Sequence, residues 1–238
     1  MDYQYVINNY LQKMGIEAEA SMLTPTIKYL NLLYQQNQKL NLMGTRDKQE
    51  IVIRHFLDCL SILQYRQKFF KEATCILDIG SGGGLPGMLL SFYLPHCRFF
   101  LLEKSLKKTK FLNQAALISP WQNVEIIRGR AELLAREHKY RQGFETVLAR
   151  AVTSFKILIE LAIPFCKING KIIFYKSRKV FEEINSSSGM IEKLGGKIRQ
   201  IHQVEVDGLN EFRALLEIGK VSKTPAEYPR NFAKIKRG

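Results

Sequence analysis

The stretch Asp78-Ile79-Gly80-Ser81-Gly82-Gly83-Gly84-Leu85-Pro86-Gly87 directly follows the apolar run Cys75-Ile76-Leu77. An apolar strand that ends in an acid and continues through a glycine-rich loop into a helix is typical of a nucleotide-binding α/β fold. The glycines permit a sharp turn and let a ligand approach the backbone without meeting a Cβ. We predict a helix over Gly87–Tyr93, whose partly positive N-terminus points at the ligand and whose first turn accommodates Pro86.

The acidic residue at the start of this loop, Asp78, favours one class of ligand. The spacing Gly82-x-Gly84-x-x-Gly87 also fits the dinucleotide fingerprint G-x-G-x-x-G, but that pattern alone is weak. The Asp78 carboxylate would repel a pyrophosphate held against the same loop, whereas it can organise an amine directly or through water. S-adenosylmethionine carries an ammonium, a sulfonium and no phosphate, so we expect this methyl donor. A dinucleotide site and a glycine-rich turn without a ligand remain as alternatives.

Length and composition favour an intracellular enzyme. The 238 residues suffice for one large domain, or for one domain with an appendage. No apolar stretch approaches the roughly 20 residues of a membrane span, and the N-terminus has neither the basic cap nor the apolar core of a secretion signal. The four cysteines show no C-x-x-C pairing and no nearby histidine clusters, which predicts reduced thiols and no structural zinc. We therefore expect a cytoplasmic protein without a metal.

The charge indicates a polyanionic partner. Lys and Arg number 36 against 22 Asp and Glu, a net charge of +14. Nucleic acid is the first candidate. An anionic membrane surface ranks well behind it, because no basic amphipathic helix stands out. A basic surface that is simply solvated is the remaining alternative.

The chain divides into three parts. Residues 1–70 are predicted to form a helical extension, because apolar side chains recur there at helical spacing. From Ala73, β-prone runs alternate with helical segments, which indicates βαβ units. The predicted parallel strands are Thr74–Ile79, Arg98–Leu102, Val124–Arg128, Thr146–Ala149 and Lys171–Tyr175. Two further runs, Lys197–Val206 and Glu211–Ile218, flank a turn and predict a closing antiparallel hairpin.

This order predicts the fold class for residues 71–222. It is an α/β, Rossmann-like class I methyltransferase fold, with a mostly parallel seven-stranded sheet and a reversed last strand. A plain dinucleotide fold lacks the reversed strand. Residues 223–238 are basic and carry two prolines, so we predict a tail or arm rather than core.

Polar residues at successive strand ends complete the predicted site, because ligands of open α/β sheets bind beyond the carboxyl ends of the strands. Glu103 follows the second strand, about 20 residues past the glycines, where a carboxylate can accept both ribose hydroxyls. The backbone of Ala131 and Glu132 can read the adenine edge, although a helix-capping carboxylate fits equally well. Arg150 ends the fourth strand and faces the entry of the methyl acceptor, unless it bonds the carbonyls of a neighbouring helix.

The residues after the fourth strand limit the choice of methyl acceptor, because two motifs of other methyltransferases are absent there. The sequence Leu148-Ala149-Arg150-Ala151-Val152 has no Asn/Asp-Pro-Pro-aromatic run to hold an exocyclic amine. We assign Cys166 to core or loop and not to nucleophilic catalysis, and the four histidines form no visible pair. An acceptor that needs no deprotonation, such as guanine N7, therefore fits, with catalysis by positioning.

With these residues the chain resembles the bacterial 16S rRNA guanine-N7 methyltransferases, the methyltransferase G family also called glucose-inhibited division protein B. The resemblance runs from about Asn41 to Lys176. Its motifs are Asn41-Leu42, Arg54-His55-Phe56-Leu57-Asp58-Cys59-Leu60, the glycine loop through Leu85-Pro86-Gly87, Lys107-Lys108 with Phe111-Leu112, Arg130-Ala131-Glu132 and Arg150-Ala151. The chain departs from the family at Lys176-Ser177, where Lys-Gly is common, and in its C-terminal end.

The resemblance implies S-adenosylmethionine as donor and one guanine in the decoding region of 16S rRNA as acceptor, on the naked RNA or the small ribosomal subunit. We expect a monomer that does not bind membranes. The expected donor residues are Asp78, Gly80, Gly82, Leu85, Glu103, Ala131, Glu132 and Arg150, and Arg150 is also the expected catalytic residue. The expected RNA-binding residues are Lys107, Lys108, Arg130, Lys176 and Arg230, with the basic tail. Alternatives are methylation of another RNA, a nicotinamide oxidoreductase and a non-catalytic RNA-binding protein.

Overall fold

A seven-stranded sheet organises the molecule, whose computed structural model describes residues 1–71 and 74–237. The strands are β1 (Cys75–Ile79), β2 (Arg98–Glu103), β3 (Val124–Arg128), β4 (Phe144–Arg150), β5 (Cys166–Lys176), β6 (Gly196–Val204) and β7 (Arg213–Lys220). Their order across the sheet is β3-β2-β1-β4-β5-β7-β6. The first five strands pair in parallel, whereas β7 runs antiparallel to both β5 and β6. The predicted parallel sheet with a reversed last strand is confirmed.

Helices precede and flank the sheet. The N-terminal part holds α1 (Tyr3–Lys13), α2 (Ala20–Leu40), α3 (Lys48–Ile51), α4 (Asp58–Leu60) and α5 (Arg66–Phe69), with a π-helical segment (Val52–Leu57) and a 3₁₀ segment (Ser61–Tyr65) between the last three. The later helices are α6 (Gly87–Ser91), α7 (Leu106–Ala116), α8 (Ala131–Leu134), α9 (Phe155–Ala162), α10 (Val180–Asn185), α11 (Ser188–Lys193) and α12 (Phe232–Arg237), with a 3₁₀ segment (Ile163–Phe165) after α9.

Local chemistry sets the limits of the first two helices. The Asp2 carboxylate accepts from the free backbone N–H groups of Gln4 and Tyr5 and so begins α1. Asn41 adopts a left-handed conformation, with φ of 47°, and ends α2. The domain boundaries after residues 70 and 222 stay a prediction. Ala73, where we placed the change of pattern, and Gly238, the last residue of the predicted tail, lie outside the described residues.

The N-terminal helices cover one face of the sheet and share its apolar core. Tyr29 of α2 stacks on Phe56 with ring centroids 5.6 Å apart, and meets Phe92 edge-on at 5.8 Å. The Tyr29 hydroxyl donates to the carbonyl oxygen of Gly83, in the glycine loop. The opposite face is covered by α9, where Phe155 packs edge-on against Phe174 of β5 at 5.5 Å. The extension therefore braces the loop that we predict to bind the donor.

Residues 221–237, the C-terminal arm, return along the face that α9 covers. Tyr228 and Ile235 of this arm are buried, with 5% and 3% of their surface exposed. The predicted basic tail is therefore anchored to the domain through apolar side chains. Within the described ranges, no helix is both long and apolar enough to cross a membrane.

Candidate functional site

A cavity of about 430 Å³ opens at the carboxyl ends of four adjacent strands. Because β3, β2, β1 and β4 are neighbours in the sheet, the loops that follow them meet at one edge. The lining residues from these loops include Ile79, Gly80, Leu102, Glu103, Gly129, Arg130, Ala131, Glu132, Ala151, Val152 and Thr153. The structure thus brings the predicted residues Gly80, Glu103, Ala131 and Glu132 together around one space.

The glycine loop is held tightly against its neighbours. The N–H groups of Gly80 and Ser81 both donate to the carbonyl oxygen of Leu102, at 2.8 and 3.1 Å. Gly80 has a φ of +68°, and a Cβ there would come within 2.7 Å of the Val152 side chain. A larger residue at position 80 would therefore disturb both the backbone turn and the wall of the cavity.

Asp78 is buried at the base of this loop. Its Oδ2 accepts from the N–H of Gly87 at 3.0 Å, which fixes the start of α6, while Oδ1 has no hydrogen-bond partner among the described residues. Burial raises the pKa of Asp78 to about 7, although the Gly87 N–H favours the ionised form. A buried acceptor without a partner is expensive to leave unsatisfied. Asp78 therefore keeps one unused acceptor oxygen behind the cavity lining.

Glu103 places a carboxylate on the wall of the cavity. Its Oε2 accepts from the N–H of Gly82 at 3.1 Å, and its Oε1 accepts from the N–H of Ser105 at 2.8 Å. Only 6% of Glu103 is exposed. Since each carboxylate oxygen has two lone pairs, acceptor capacity remains for a ligand's hydroxyl groups. Glu103 is thus both a brace of the glycine loop and a candidate ribose acceptor.

The third strand end adds a second acidic position. Ala131 and Glu132 begin α8, and the Glu132 carboxylate accepts from Nε of the Arg130 guanidinium. Glu132 is 6% exposed, whereas the Arg130 side chain is 48% exposed. The backbone of the first turn of α8 therefore lies at the cavity wall, and the Arg130 guanidinium lies beside it.

Arg150 lies away from the cavity lining, against the N-terminal extension. Its Nε donates to Oδ2 of Asp58 at 2.8 Å, and its terminal nitrogen donates to the carbonyl oxygen of Arg54 at 2.8 Å. The same nitrogen lies 2.9 Å from Nδ1 of His55. Burial, together with the nearby guanidinium charges, lowers the pKa of His55 to about 4, so its ring is neutral and Nδ1 accepts. The Arg54–Asp58 motif therefore holds the guanidinium at the end of β4.

The remaining predicted donor residues do not line the cavity. Asp78, Gly82 and Leu85 belong to the strand end and the loop behind it, and Leu85 is 6% exposed. Their donor contacts stay a prediction. Two residues of the C-terminal arm that were not predicted as site residues, Phe232 and Lys236, do line the cavity. Nothing local in the arm's sequence indicates this placement.

The predicted RNA-binding residues fall into two groups. Lys108 and Arg130 lie at the cavity, and Lys107 is exposed beside them. Lys176 and Arg230 lie outside the cavity lining and have carboxylate partners, as Arg130 does: Lys176 Nζ lies 2.7 Å from Glu183, and Arg230 makes a 2.8 Å bond to Glu160. RNA contact by all five residues stays a prediction, and at Lys176 and Arg230 a phosphate would have to compete with an existing ion pair.

A family model described as GidB, rRNA small subunit methyltransferase G, matches residues 22–210. A relative from Clostridium kluyveri, named ribosomal RNA small subunit methyltransferase G, is 35% identical over 230 residues, which are 97% of this chain and 95% of the relative. The Alkaliphilus metalliredigens protein of the same name is 31% identical, with the same coverage.

Solved structures show the same fold at low sequence identity. A putative methyltransferase from Bacillus halodurans has a TM-score of 0.51 at 15% identity, over 69% of this chain and 99% of that chain. MtNAS in complex with MTA and tNA has a TM-score of 0.54 at 12% identity, over 81% of this chain and 71% of that chain.

Proposed function

The chain belongs to the rRNA small subunit methyltransferase G family, as its motifs predicted, and we propose that it methylates 16S rRNA at N7 of one guanine in the decoding region. The methyl group comes from S-adenosylmethionine. The observation that carries the proposal is the cavity at four strand ends, where the glycine loop meets the carboxylate of Glu103 and the first turn of α8. The fold is that of the class I methyltransferases.

The residues present fit S-adenosylmethionine. The unpartnered, buried Oδ1 of Asp78 suits the donor's ammonium, directly or through a water. The Glu103 carboxylate suits the ribose hydroxyls, and the backbone at Ala131 and Glu132 suits the adenine edge. When bound, S-adenosylmethionine supplies an electrophilic methyl group. The chain's residues orient that group and exclude water from it.

The same charges count against a nicotinamide dinucleotide. A pyrophosphate at the glycine loop would lie near two buried acids, Asp78 and Glu103, which are 1% and 6% exposed. The reversed β7 also departs from the parallel sixth strand of the dinucleotide fold. Both observations favour the methyl donor.

Rate enhancement is proposed to come from positioning. Guanine N7 has an open lone pair, so no side chain has to remove a proton before transfer. Arg150 stands between the donor cavity and the extension, and its bonds to Asp58 and Arg54 fix the strand end beside the proposed acceptor entry. We assign Arg150 the role of a positioning residue. Holding two reactants in line is worth up to about 10 kcal/mol of barrier.

The basic surface around the cavity is proposed to hold the RNA backbone. Lys104 comes from the β2–α7 connection, Lys108 from the first turn of α7, and Arg130 from the loop after β3. Lysine and arginine contacts to phosphate position a nucleic acid without reading its sequence. Since 16S rRNA, naked or in the small ribosomal subunit, is the proposed substrate, we also propose a cytoplasmic location and retain the monomer as a prediction.

A transfer assay tests the proposal. The protein is incubated with methyl-labelled S-adenosylmethionine and either naked 16S rRNA or small subunits from cells that lack the modification, and the labelled base is mapped. Label on a single N7-methylguanine is the expected result. Absence of label on both substrates, with donor binding intact, would refute the proposed acceptor, and binding of NAD in place of the donor would refute the reaction class.

A further inference from the structure

The C-terminal arm is fastened to the methyltransferase domain by arginines that come from the domain. Arg141 donates to the carbonyl oxygens of Thr224 and Tyr228, at 2.9 and 2.8 Å. Arg136 donates to the carbonyl oxygen of Pro229 at 3.0 Å. Because these bonds go to the arm's backbone, they fix its path whatever side chains it carries.

An ion pair with a buried carboxylate then fixes the start of α12. Arg230 donates through its backbone N–H and its guanidinium to Glu160 of α9, at 2.7 and 2.8 Å. Glu160 is 1% exposed, so its charge depends on this arginine. Ile235, one helical turn after Phe232, is 3% exposed and packs into the domain. The orientation of α12 is therefore set from both of its ends.

This orientation brings Phe232 to the donor cavity. Phe232 and Lys236 line the same space as Glu103, Ala131 and Glu132. The Arg130 guanidinium carbon lies 5.2 Å from the centroid of the Phe232 ring, which is only half-buried. The helix holds this ring in place, and part of the ring remains uncovered at the cavity. A flat base can stack on such an aromatic surface.

We propose that Phe232 is a donor-binding residue whose ring forms one wall of the adenine slot, opposite the strand ends. This inference rests on the proposed function, because it assigns the cavity to S-adenosylmethionine. The C-terminal arm then completes the donor site and is not solely an RNA-binding tail. Adenine is the part of the donor that Phe232 contacts, since the ring lies beside Arg130, the residue that precedes the first turn of α8, and the backbone of that turn is proposed to read the adenine edge.

Calorimetric titration tests the proposal in the full chain. The ligands are S-adenosylhomocysteine and 5′-methylthioadenosine, which keeps the adenosine and lacks the amino-acid end. Phe232→Ala is expected to weaken both ligands by the same factor, about 5- to 150-fold, the range for loss of one base–aromatic stack. Phe232→Tyr keeps the ring and is expected to bind as the wild type does, whereas Phe232→Leu fills space without a stack and is expected to bind weakly.

Phe181→Ala is the matched control, because Phe181 is 48% exposed and lies outside the cavity. It should bind both ligands with wild-type affinity, and thermal unfolding of each variant verifies the fold. Wild-type affinity in Phe232→Ala or Phe232→Leu would overturn the proposal. The proposal would also be overturned if Phe232→Ala bound S-adenosylhomocysteine more weakly but kept its affinity for 5′-methylthioadenosine. A wild-type chain that binds neither ligand would instead overturn the proposed function on which the inference rests.

Discussion

The Asp78→Asn substitution should stabilise the protein at alkaline pH and at the same time weaken donor binding. Asp78 is 1% exposed, and burial raises its pKa from the ordinary 3.8 to about 7. Between these values the folded protein keeps a proton that the unfolded chain has released. The stability of the wild type therefore falls as the pH rises through this window, and the full loss persists above pH 7.

The expected gain in stability follows from the same pKa. At about 1.4 kcal/mol per pH unit, ionising Asp78 destabilises the fold by about 4 kcal/mol at pH 8. Asparagine carries no charge and keeps an oxygen for the Gly87 N–H, but it buries an NH₂ group without an evident partner, at about 1–3 kcal/mol. The variant should thus be about 1–3 kcal/mol more stable than the wild type at pH 8. This difference in stability between variant and wild type should fall to about zero or reverse at pH 5.

The same substitution should lower the affinity for the donor while it raises the stability at pH 8. If the unpartnered Oδ1 of Asp78 meets the donor's ammonium, its charge-assisted hydrogen bond contributes about 1.5–3 kcal/mol, so the variant should bind S-adenosylhomocysteine about 10- to 150-fold more weakly. Urea unfolding at pH 5 and pH 8 measures the stability, and calorimetry at pH 8 measures the affinity. Glu125→Gln, at an exposed acid of β3, is the control. A variant that is less stable than the wild type at pH 8, or that binds with unchanged affinity, would refute the reasoning.

Three further substitutions probe the neighbouring contacts. Glu103→Gln should weaken S-adenosylhomocysteine about tenfold or more in calorimetry, because the neutral amide is a poorer acceptor for ribose hydroxyls; unchanged affinity would remove the ribose role. Arg150→Ala should lower the free energy of unfolding by about 3–5 kcal/mol in urea, because Asp58, 6% exposed, loses its main partner; a variant of wild-type stability would show that this pair does not brace β4. Lys108→Gln should reduce the salt dependence of rRNA binding by about one phosphate contact in filter binding; an unchanged slope would place the RNA elsewhere.

The sheet was predictable because buried parallel strands leave a local pattern. The predicted strand Thr74–Ile79 matches β1 to within one residue, and the predicted strand Lys171–Tyr175 lies inside the longer β5, which begins at Cys166. The ends of the β6–β7 hairpin shifted by one or two residues, because pairing decides where a strand stops. Strand order, in contrast, depends on long-range pairing, and the local pattern did not predict it.

The surroundings of Arg150 lay beyond pattern analysis for a related reason. Its partners Arg54, His55 and Asp58 precede it by 92 to 96 positions. A helical pattern shows which face of the extension is apolar, but it does not show which strand end that helix meets. The sequence therefore offered a neighbouring helix as one alternative partner of Arg150, but the residues of that helix were identified only in the fold.

The basic composition of the C-terminal arm predicted free charge, although one residue of α9 indicated that a cation must be paired there. Its basic residues suggested free phosphate-binding charge, yet Arg230 pairs with the buried Glu160. Glu160 carried the signal, since an ionised carboxylate within the apolar run of α9 requires a cationic partner. Once that partner is Arg230, the chain beyond it must lie beside α9, and Phe232 follows two residues later. The net charge of +14 thus includes charge that holds the fold together, so phosphate contacts are better sought at the exposed lysines around the cavity than in the arm as a whole.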